Sequence, residues 1–478
     1  MLYVRLHSVS TKARPFRRFT FPSKTSILSS VCRKAKRTHG RPGSLAERVR
    51  LAAGRAELFA DHQFEGGVDL RTLIIGAGAS GLAAAVTLKR ECPAMDVVLV
   101  EKLSEPGRKI LATGNGRCNL TNTDISVSWY HGDSSLIYTV LNTFQTEDCL
   151  DFFHSLGLLT LEEEGRVYPL SMNAATVRSV LLEEVERLGI TVASDFAVGS
   201  IAPGFTVTDK SGERTLHGDF VLLALGGKAD AAHGTDGDGY PLLKQLGIRY
   251  APISPALTAL KTDDRIRPLK GLRFRGSASL LDKNGDLVGQ EAGELQFTEN
   301  GLSGIPAFQL SGDAAVLART QDLSVLLDFC PNLPDVAVLD YFRDRQMHGS
   351  PDEPVLHLLT GILQEKLARF LLGELGMDAD TPVHRLRTED LASLAEQVKG
   401  YKLTVTGTKS FKDAQVTRGG VPVDELVDGT LESRAVPNLW FAGELLNVDG
   451  ACGGYNLHFA WGSGILAAKE IAQRAENI

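Results

Sequence analysis

Apolar positions mark out the elements of this chain before any residue chemistry does. Leu73, Ile74 and Ile75 form a short unbroken apolar run, with the first strand starting at about Arg71, and "DVVLVEK" forms a second run ending at Glu101. Continuous runs of this length predict strands buried on both faces of a parallel sheet. Apolar residues at 3–4 spacing predict helices over 134–157 and 173–189. "TVASDFAVGSIA", "GFTVTD" and "RTLHGDFVLLALGG" read as strands. From about 253 to 333 the texture changes to short alternating strands, such as "LRFRGSASLLD" and "LSVLLDF", which predict a small β-barrel. Between 335 and 400 the spacing turns helical, and "YKLTVTGTKSFKDAQVT" returns as strand. A last strand is predicted at Leu439–Ala442, before a Gly-rich entry into a helix.

Between the first two strands lies "GAGASGLAAAVTLKR". Gly76, Gly78 and Gly81 supply GxGxxG spacing, with Ala79 and Ser80 at the start of an Ala-rich helix. The spacing has a mechanism. Gly76 permits the tight turn, Gly78 lets backbone approach a pyrophosphate, and Gly81 lets helix pack on strand. Glu101 stands 20 residues past Gly81, where an acid takes adenosine ribose hydroxyls. Strand, glycines, helix, strand and acid in this order predict a bound dinucleotide.

The fingerprint does not separate FAD from NAD; the end of the chain does. "FAGELLNVDGACGGYNLHFAWGSG" combines Gly443 after a strand, an acid-bearing loop and a Gly-rich helix entry. Asp449 is placed to bond a ribityl hydroxyl. The turn at 453–456, with Gly454, Tyr455 and Asn456, would aim N–H groups at the pyrimidine edge of a flavin. Such a return, hundreds of residues after the first glycines, is what a two-part FAD fold requires.

"GRKILATGNGRCNLTN", "FVLLALGG", "GTDGDGYPLLKQLG", "GELQFTENGLSGIP" and "FAGELLNVDGACGGYNLHFAWGSG" together resemble the BaiN/RdsA (YhiN-like) family of NAD(P)/FAD-dependent oxidoreductases, in order from about residue 70 to 475. The resemblance implies an α/β fold: a two-part, three-layer Rossmann-like FAD-binding domain with an inserted β-barrel and a helical subdomain. The expected boundaries are 69–252 and 419–478 for the FAD domain, 253–334 and 401–418 for the barrel, and 335–400 for the helical insert. It also implies that the "GNGRCNLTN" loop, with Gly116 and Asn119, lies along pyrophosphate and flavin. Arg108, Lys109 and Arg117 would offer positive charge to the cofactor phosphates or an anionic substrate, Lys102 would be among the cofactor-binding residues, the Val198 backbone would meet adenine, and Gly226 would close the first half of the FAD domain. "GTDGDGY" at 234–240 reads either as part of the cofactor side of the cleft or as a helix-capping loop.

Charge divides the chain. Residues 1–56 carry 14 Lys and Arg and one acid, Glu47, leaving 37 basic and 57 acidic residues, net −20, for the rest. The basic extension, taken as 1–68 and expected to lack fixed structure, reads as an organellar transit peptide, a nucleic-acid arm or translated upstream sequence. Only the first reading moves the expected location away from the cytoplasm. No run of about 18 apolar residues predicts a membrane span. The six cysteines form no CxxC pair, and the 11 histidines are dispersed, so neither a disulfide framework nor a metal site is expected.

No Ser–His–Asp arrangement stands out, so the chemistry falls to the flavin. There is no second GxGxxG unit; NAD(P)H, if it is the electron donor, would visit the cleft transiently. Cys118 and Cys452 fall in loops expected near the flavin, as a redox pair or as small packed residues. Glu299 stands where many family members carry His, which would change the type of a proton donor there. "RIRPLKGLRFR" (265–275) offers Arg267, Lys270, Arg273 and Arg275 either to RNA phosphates or to solvent on an amphipathic strand. The expected activity is an FAD-dependent oxidoreductase acting on an activated C=C bond: uridine of ribosomal RNA, or a small enone. A flavin-dependent amine or small-molecule oxidase and an FAD-stabilised RNA-binding factor without turnover stay open, as does the oligomeric state.

Overall fold

The structure, a computed structural model, describes residues 70–478; the expectations for the basic extension lie outside the described residues. Five parallel strands form the central sheet, in the order Leu439–Phe441, Phe220–Leu223, Arg71–Ile75, Asp96–Val100, Thr191–Ala193. Ile74 pairs with Leu222 on one side and Leu99 on the other. All three are fully buried, as the unbroken apolar runs require. The strand at 439 thus returns beside the strand at 220, and the sheet is built from both ends of the described chain.

Two helices pack on one another beside this sheet: Ala79–Glu91 and Tyr455–Glu476. Small residues allow the close approach. A Cβ at Gly464 would sit 2.2 Å from the Ser80 carbonyl oxygen. Ser80 through Leu88 are all buried, which explains why this helix carries no polar stripe. An antiparallel three-stranded sheet follows at Val198–Ala202, Thr206–Asp209 and Thr215–His217.

Six antiparallel strands close a barrel: Leu260–Thr262, Gly301–Ser303, Leu287–Phe297, Arg273–Leu281, Leu323–Asp328 and Tyr401–Thr408, which pairs back with the first. The helices Asp335–His348, Val355–Thr360, Glu365–Glu374 and Thr388–Lys399 share a single apolar core with it. Leu327 and Leu403 of the barrel and Phe342, Leu371 and Leu394 of the helices all belong to that core. The two chain crossings between the sheet domain and the barrel are zipped together, Ser254–Ala256 against Val416–Arg418. Both parts belong to one compact unit.

Three expectations change. The helix expected over 134–157 is two, Ser134–Thr143 and Thr146–Ser155, because Gln145 and Asp148 cap the second reciprocally. "TVASDFAVGSIA", "RTLHGDFVLLALGG" and "YKLTVTGTKSFKDAQVT" are each two strands belonging to different sheets. The helix Ile305–Leu317 lies where only strands were expected. It is packed against strands of the barrel and against Ser254–Ala256, so apolar and small residues occur around it without a single stripe.

Candidate functional site

A cleft of about 640 Å³ opens where the parallel strands end and the first helix begins. Gly76 has φ +107°, and a Cβ there would meet the Ala224 carbonyl oxygen at 2.3 Å; one at Gly81 would meet the Gly76 carbonyl oxygen at 1.8 Å. These two glycines serve packing, and Gly81 does not reach the cleft. Gly78 differs. Its backbone is ordinary, at φ −83°, and nothing lies within 4 Å of a Cβ built on it. Its missing side chain leaves room only in the cleft, where Gly78, Ala79 and Ser80 bring a helix N-terminus to the wall.

Glu101 ends the second strand at the same wall. Its carboxylate accepts the Ala77 N–H at 3.0 Å and the Leu103 N–H at 2.9 Å, which fixes it facing the cleft. Lys102 also lines the cleft, but its ammonium is held by Asp236 at 2.6 Å and Asp238 at 3.0 Å. Burial opposes its charge, and the two carboxylates outweigh burial and hold the pKa above the ordinary value. Val198, Gly226 and the 234–238 loop line the cleft as well.

The "ATGNGRCNLTN" segment forms tight helical turns and a knot of left-handed backbone. Gly114, Asn115, Gly116 and Cys118 all have positive φ. Arg108, Lys109, Asn115 and Asn119 line the cleft, as does Arg117, whose guanidinium lies 4.8 Å from the centre of the Tyr168 ring. Gly116 does not reach it. Asn119 is buried, and its Oδ1 has no hydrogen-bond partner. A buried carbonyl oxygen without a donor, at the edge of a cleft, asks for a donor from a ligand.

Several expected site residues lie elsewhere. Asp449 is 3% exposed and bonded to Arg418 at 3.1–3.2 Å, away from the main cleft. Strand alternation decides this. Val448–Gly450 pairs with Tyr130–Gly132, so Val448 and Gly450 face the cleft and Asp449 faces the other way. The Tyr455 ring also leaves the cleft, stacking on Trp129 at 5.3 Å and meeting Tyr130 edge-on. Gly443 is a packing glycine, since a Cβ there would meet Ser80 Oγ at 2.6 Å. Cys118 is fully buried behind the loop, and burial pushes its thiol up to about 12. Cys452 does line the cleft, again with burial pushing its thiol up to about 12. Glu299 sits exposed, outside the cleft, and pairs with Lys270 at 2.9 Å and Arg267 at 3.3 Å.

The same segment offers another acid, Glu444. It lines the cleft, pairs with Lys109 at 2.9 Å and accepts the Thr417 N–H at 2.7 Å. The signal was present: an acid directly after the glycine that follows the last strand of the sheet. Gly453 and Gly454 line the cleft with φ +132° and +104°, and Asn456 clamps their turn, accepting the Gly450 N–H at 2.8 Å and donating to its carbonyl at 2.7 Å. Among the described residues no cluster of His, Cys, Asp and Glu is arranged to hold a metal ion, and no helix is long and apolar enough to cross a membrane.

A family profile described as the HI0933-like protein Rossmann domain matches residues 70–470. A 3-dehydro-bile acid delta(4,6)-reductase of Clostridium scindens is 38% identical over 408 residues, covering 84% of this chain and 98% of the relative. A ribosomal RNA dihydrouridine synthase of Escherichia coli is 29% identical over 405 residues, covering 84% and 97%. A solved flavocytochrome c3 fumarate reductase is 14% identical over 92% of this chain and 83% of its own, with a TM-score of 0.43. The chain belongs to the HI0933-like Rossmann family and is an FAD-dependent oxidoreductase.

Proposed function

We propose that this enzyme saturates a C=C bond conjugated to a carbonyl in a small enone, with NAD(P)H as the source of electrons. The observation that carries the reading is the 38% identity, over nearly the full length of the relative, to a protein named for such a reduction. The cleft suits FAD: an open Gly78, an anchored Glu101 and an undonated Asn119 Oδ1 face one space. Bound there, FAD would supply hydride.

The protein's own part is binding and orientation. The N–H groups at Gly78–Ser80 would take the pyrophosphate at a helix N-terminus. Glu101 would accept the ribose hydroxyls, and the Val198 backbone would meet adenine. Glu444, held by Lys109, would accept from the ribityl chain in place of Asp449. N–H groups of the 453–456 turn would face the pyrimidine edge, where the long helix beginning at Tyr455 favours negative charge. Asn119 Oδ1 would gain a missing donor.

The RNA reading rests on the dihydrouridine synthase relative, and the basic stretch gives it little support. Arg267 and Lys270 share Glu299, and Arg273 pairs with Glu294 at 2.9 Å. Anaerobic enzyme given NAD(P)H and a conjugated enone should bleach the enone absorbance and add two hydrogens by mass. Reduction of uridine in ribosomal RNA with no enone turned over would replace this reading with the other.

A further inference from the structure

Two half-buried guanidiniums on the cleft wall have no counter-charge. Of the acids lining the cleft, Glu105, Asp230, Asp236, Asp238 and Glu444 each pair with a basic side chain. Glu101 accepts backbone N–H groups, and Asp413 accepts the Ser410 hydroxyl at 3.0 Å. Arg117 and Arg166 form no ion pair among the described residues. Arg166 makes no side-chain hydrogen bond there either, and Arg117 makes only a 3.4 Å contact with the Gly114 carbonyl. Glu163 stands opposite Arg166 in the strand register, but it is exposed and forms no ion pair with it. The other unpaired cations of the cleft, Arg108 and Lys412, are exposed. Residues alternate along Arg166–Pro169, so Arg166 and Tyr168 face the cleft and Val167 does not. Tyr168 carries the Arg117 guanidinium on its ring at 4.8 Å. It is two residues, about 7 Å, along the strand from Arg166. The two guanidiniums therefore stand side by side on one face.

This pair stands apart from the place given to the FAD pyrophosphate. Arg166 is opposite Asn122 in strand register, and Asn122 Nδ2 donates to the Gly453 carbonyl at 2.9 Å. The Arg166 charge also reaches Cys452 and Tyr455: burial pushes the thiol and the phenol each up to about 12, and Arg166 draws both partly back. Glu291 and Asp124 act on those groups in the opposite sense, from outside the cleft wall. Gly464 packs on Ser80, and Gly454 caps the same helix ten residues earlier. That separation is about 15 Å at the rise of an α-helix.

We propose that Arg117 and Arg166 receive the diphosphate of the nicotinamide dinucleotide that reduces the flavin. The proposal rests on the reading of NAD(P)H as electron source and adds where that donor is held. A half-buried guanidinium without a counter-charge has lost water and found no partner, so an anion entering the cleft binds there. Two guanidiniums on one face match the two phosphoryl groups of a diphosphate; a single carboxylate leaves one of them unpaired. FAD has its own place for a diphosphate, at the helix N-terminus of Gly78–Ser80. The chain has no second GxGxxG unit, so the phosphates of a second dinucleotide fall to side chains.

The test uses the full chain with its FAD bound. ADP-ribose, which carries the diphosphate but no hydride, is titrated by calorimetry with inorganic pyrophosphate as competitor. Anaerobic flavin reduction by NADH and by NADPH is followed by stopped flow. Wild type should bind ADP-ribose and release it to pyrophosphate. Arg166→Gln and Arg117→Gln should each weaken the Kd of ADP-ribose and of the reducing dinucleotide at least ten-fold. Flavin content should be unchanged and the limiting rate of flavin reduction within two-fold of wild type. Arg166→Lys keeps the charge but loses the planar fork, and should fall between wild type and Arg166→Gln. Loss of flavin from the Gln variants would show that the arginines hold FAD and would overturn the site. An unchanged ADP-ribose Kd, or a fall in the limiting rate alone, would overturn it as well. Dithionite separates the two ideas. A wild type that neither NADH nor NADPH reduces sinks the site, yet the C=C reading stands if the dithionite-reduced enzyme saturates the enone. ADP-ribose bound through both arginines, by an enzyme whose dithionite-reduced form leaves the enone intact, does the reverse.

Discussion

Gly78→Val should separate cofactor binding from folding. Gly78 has ordinary backbone angles and nothing within 4 Å of an added Cβ, so the folded protein without cofactor tolerates a side chain. Valine at this N-cap position costs about 1 kcal/mol at most. In the cleft, two methyl groups would occupy the place where pyrophosphate must approach the helix N-terminus. If FAD is normally present at a thousand times its Kd, losing it removes about 4 kcal/mol of stability. For a body of this size that is a fall in Tm of roughly 5 °C. Gly81→Val is the contrast: its Cβ would sit 1.8 Å from the Gly76 carbonyl oxygen, so backbone must move and the strand–helix unit fails. The assay is flavin absorbance after desalting, beside far-ultraviolet circular dichroism with heating. Gly78→Val should be colourless and folded, Gly81→Val poorly folded. A yellow Gly78→Val protein with full flavin content would refute the placement of the pyrophosphate.

Glu470→Gln tests a buried carboxyl remote from the cleft. Burial lifts Glu470 to about 7 from an ordinary 4.5, although it accepts from Leu431 N–H and Trp440 Nε1–H. Below pH 4.5 both folded and unfolded chains hold the proton. As pH rises toward 7 the unfolded chain releases it first, and stability falls by up to about 3 kcal/mol. The variant should therefore melt higher than wild type at pH 8 and equally at pH 4.5; the same difference at both pH values would exclude the mechanism. His458 slopes the other way, with burial lowering it to about 4, so its contribution is full above pH 6.5 and lost as pH falls toward 4. The comparison must accordingly be between variant and wild type, not along one curve. Charge reversal at Arg273 and Arg275 should leave enone turnover and RNA affinity unchanged. If both contacted phosphates, the log–log salt dependence would flatten by about two, and measuring it decides the point.

The dinucleotide unit was legible in the sequence because its parts are local. Strand, glycines, helix, strand and Glu101 lie within about thirty residues, and each is specified by short-range sterics and burial. The α/β class and the barrel were legible for the same reason, since alternation and unbroken apolar runs are properties of single segments. The helix at Ile305–Leu317 was not, because burial against strands erased its stripe. Nor was the shared core of barrel and helices, which contacts between distant segments create. The sharpest divide is at the site. Sequence spacing places Asp449 and Tyr455 at a flavin and the family resemblance places Glu299 there, but which way a side chain faces depends on the partner strand. Pairing of Val448–Gly450 with Tyr130–Gly132 turned Asp449 toward Arg418 and left Glu444 at the cleft. The barrel surface gave Glu299 to Lys270 and Arg267. Asp313, Arg418 and Asp449, far apart in the chain, meet only where the barrel folds back on the sheet domain. Local patterns fix what an element is; the facing of its residues is an energy shared between elements, and only the assembled fold minimises it.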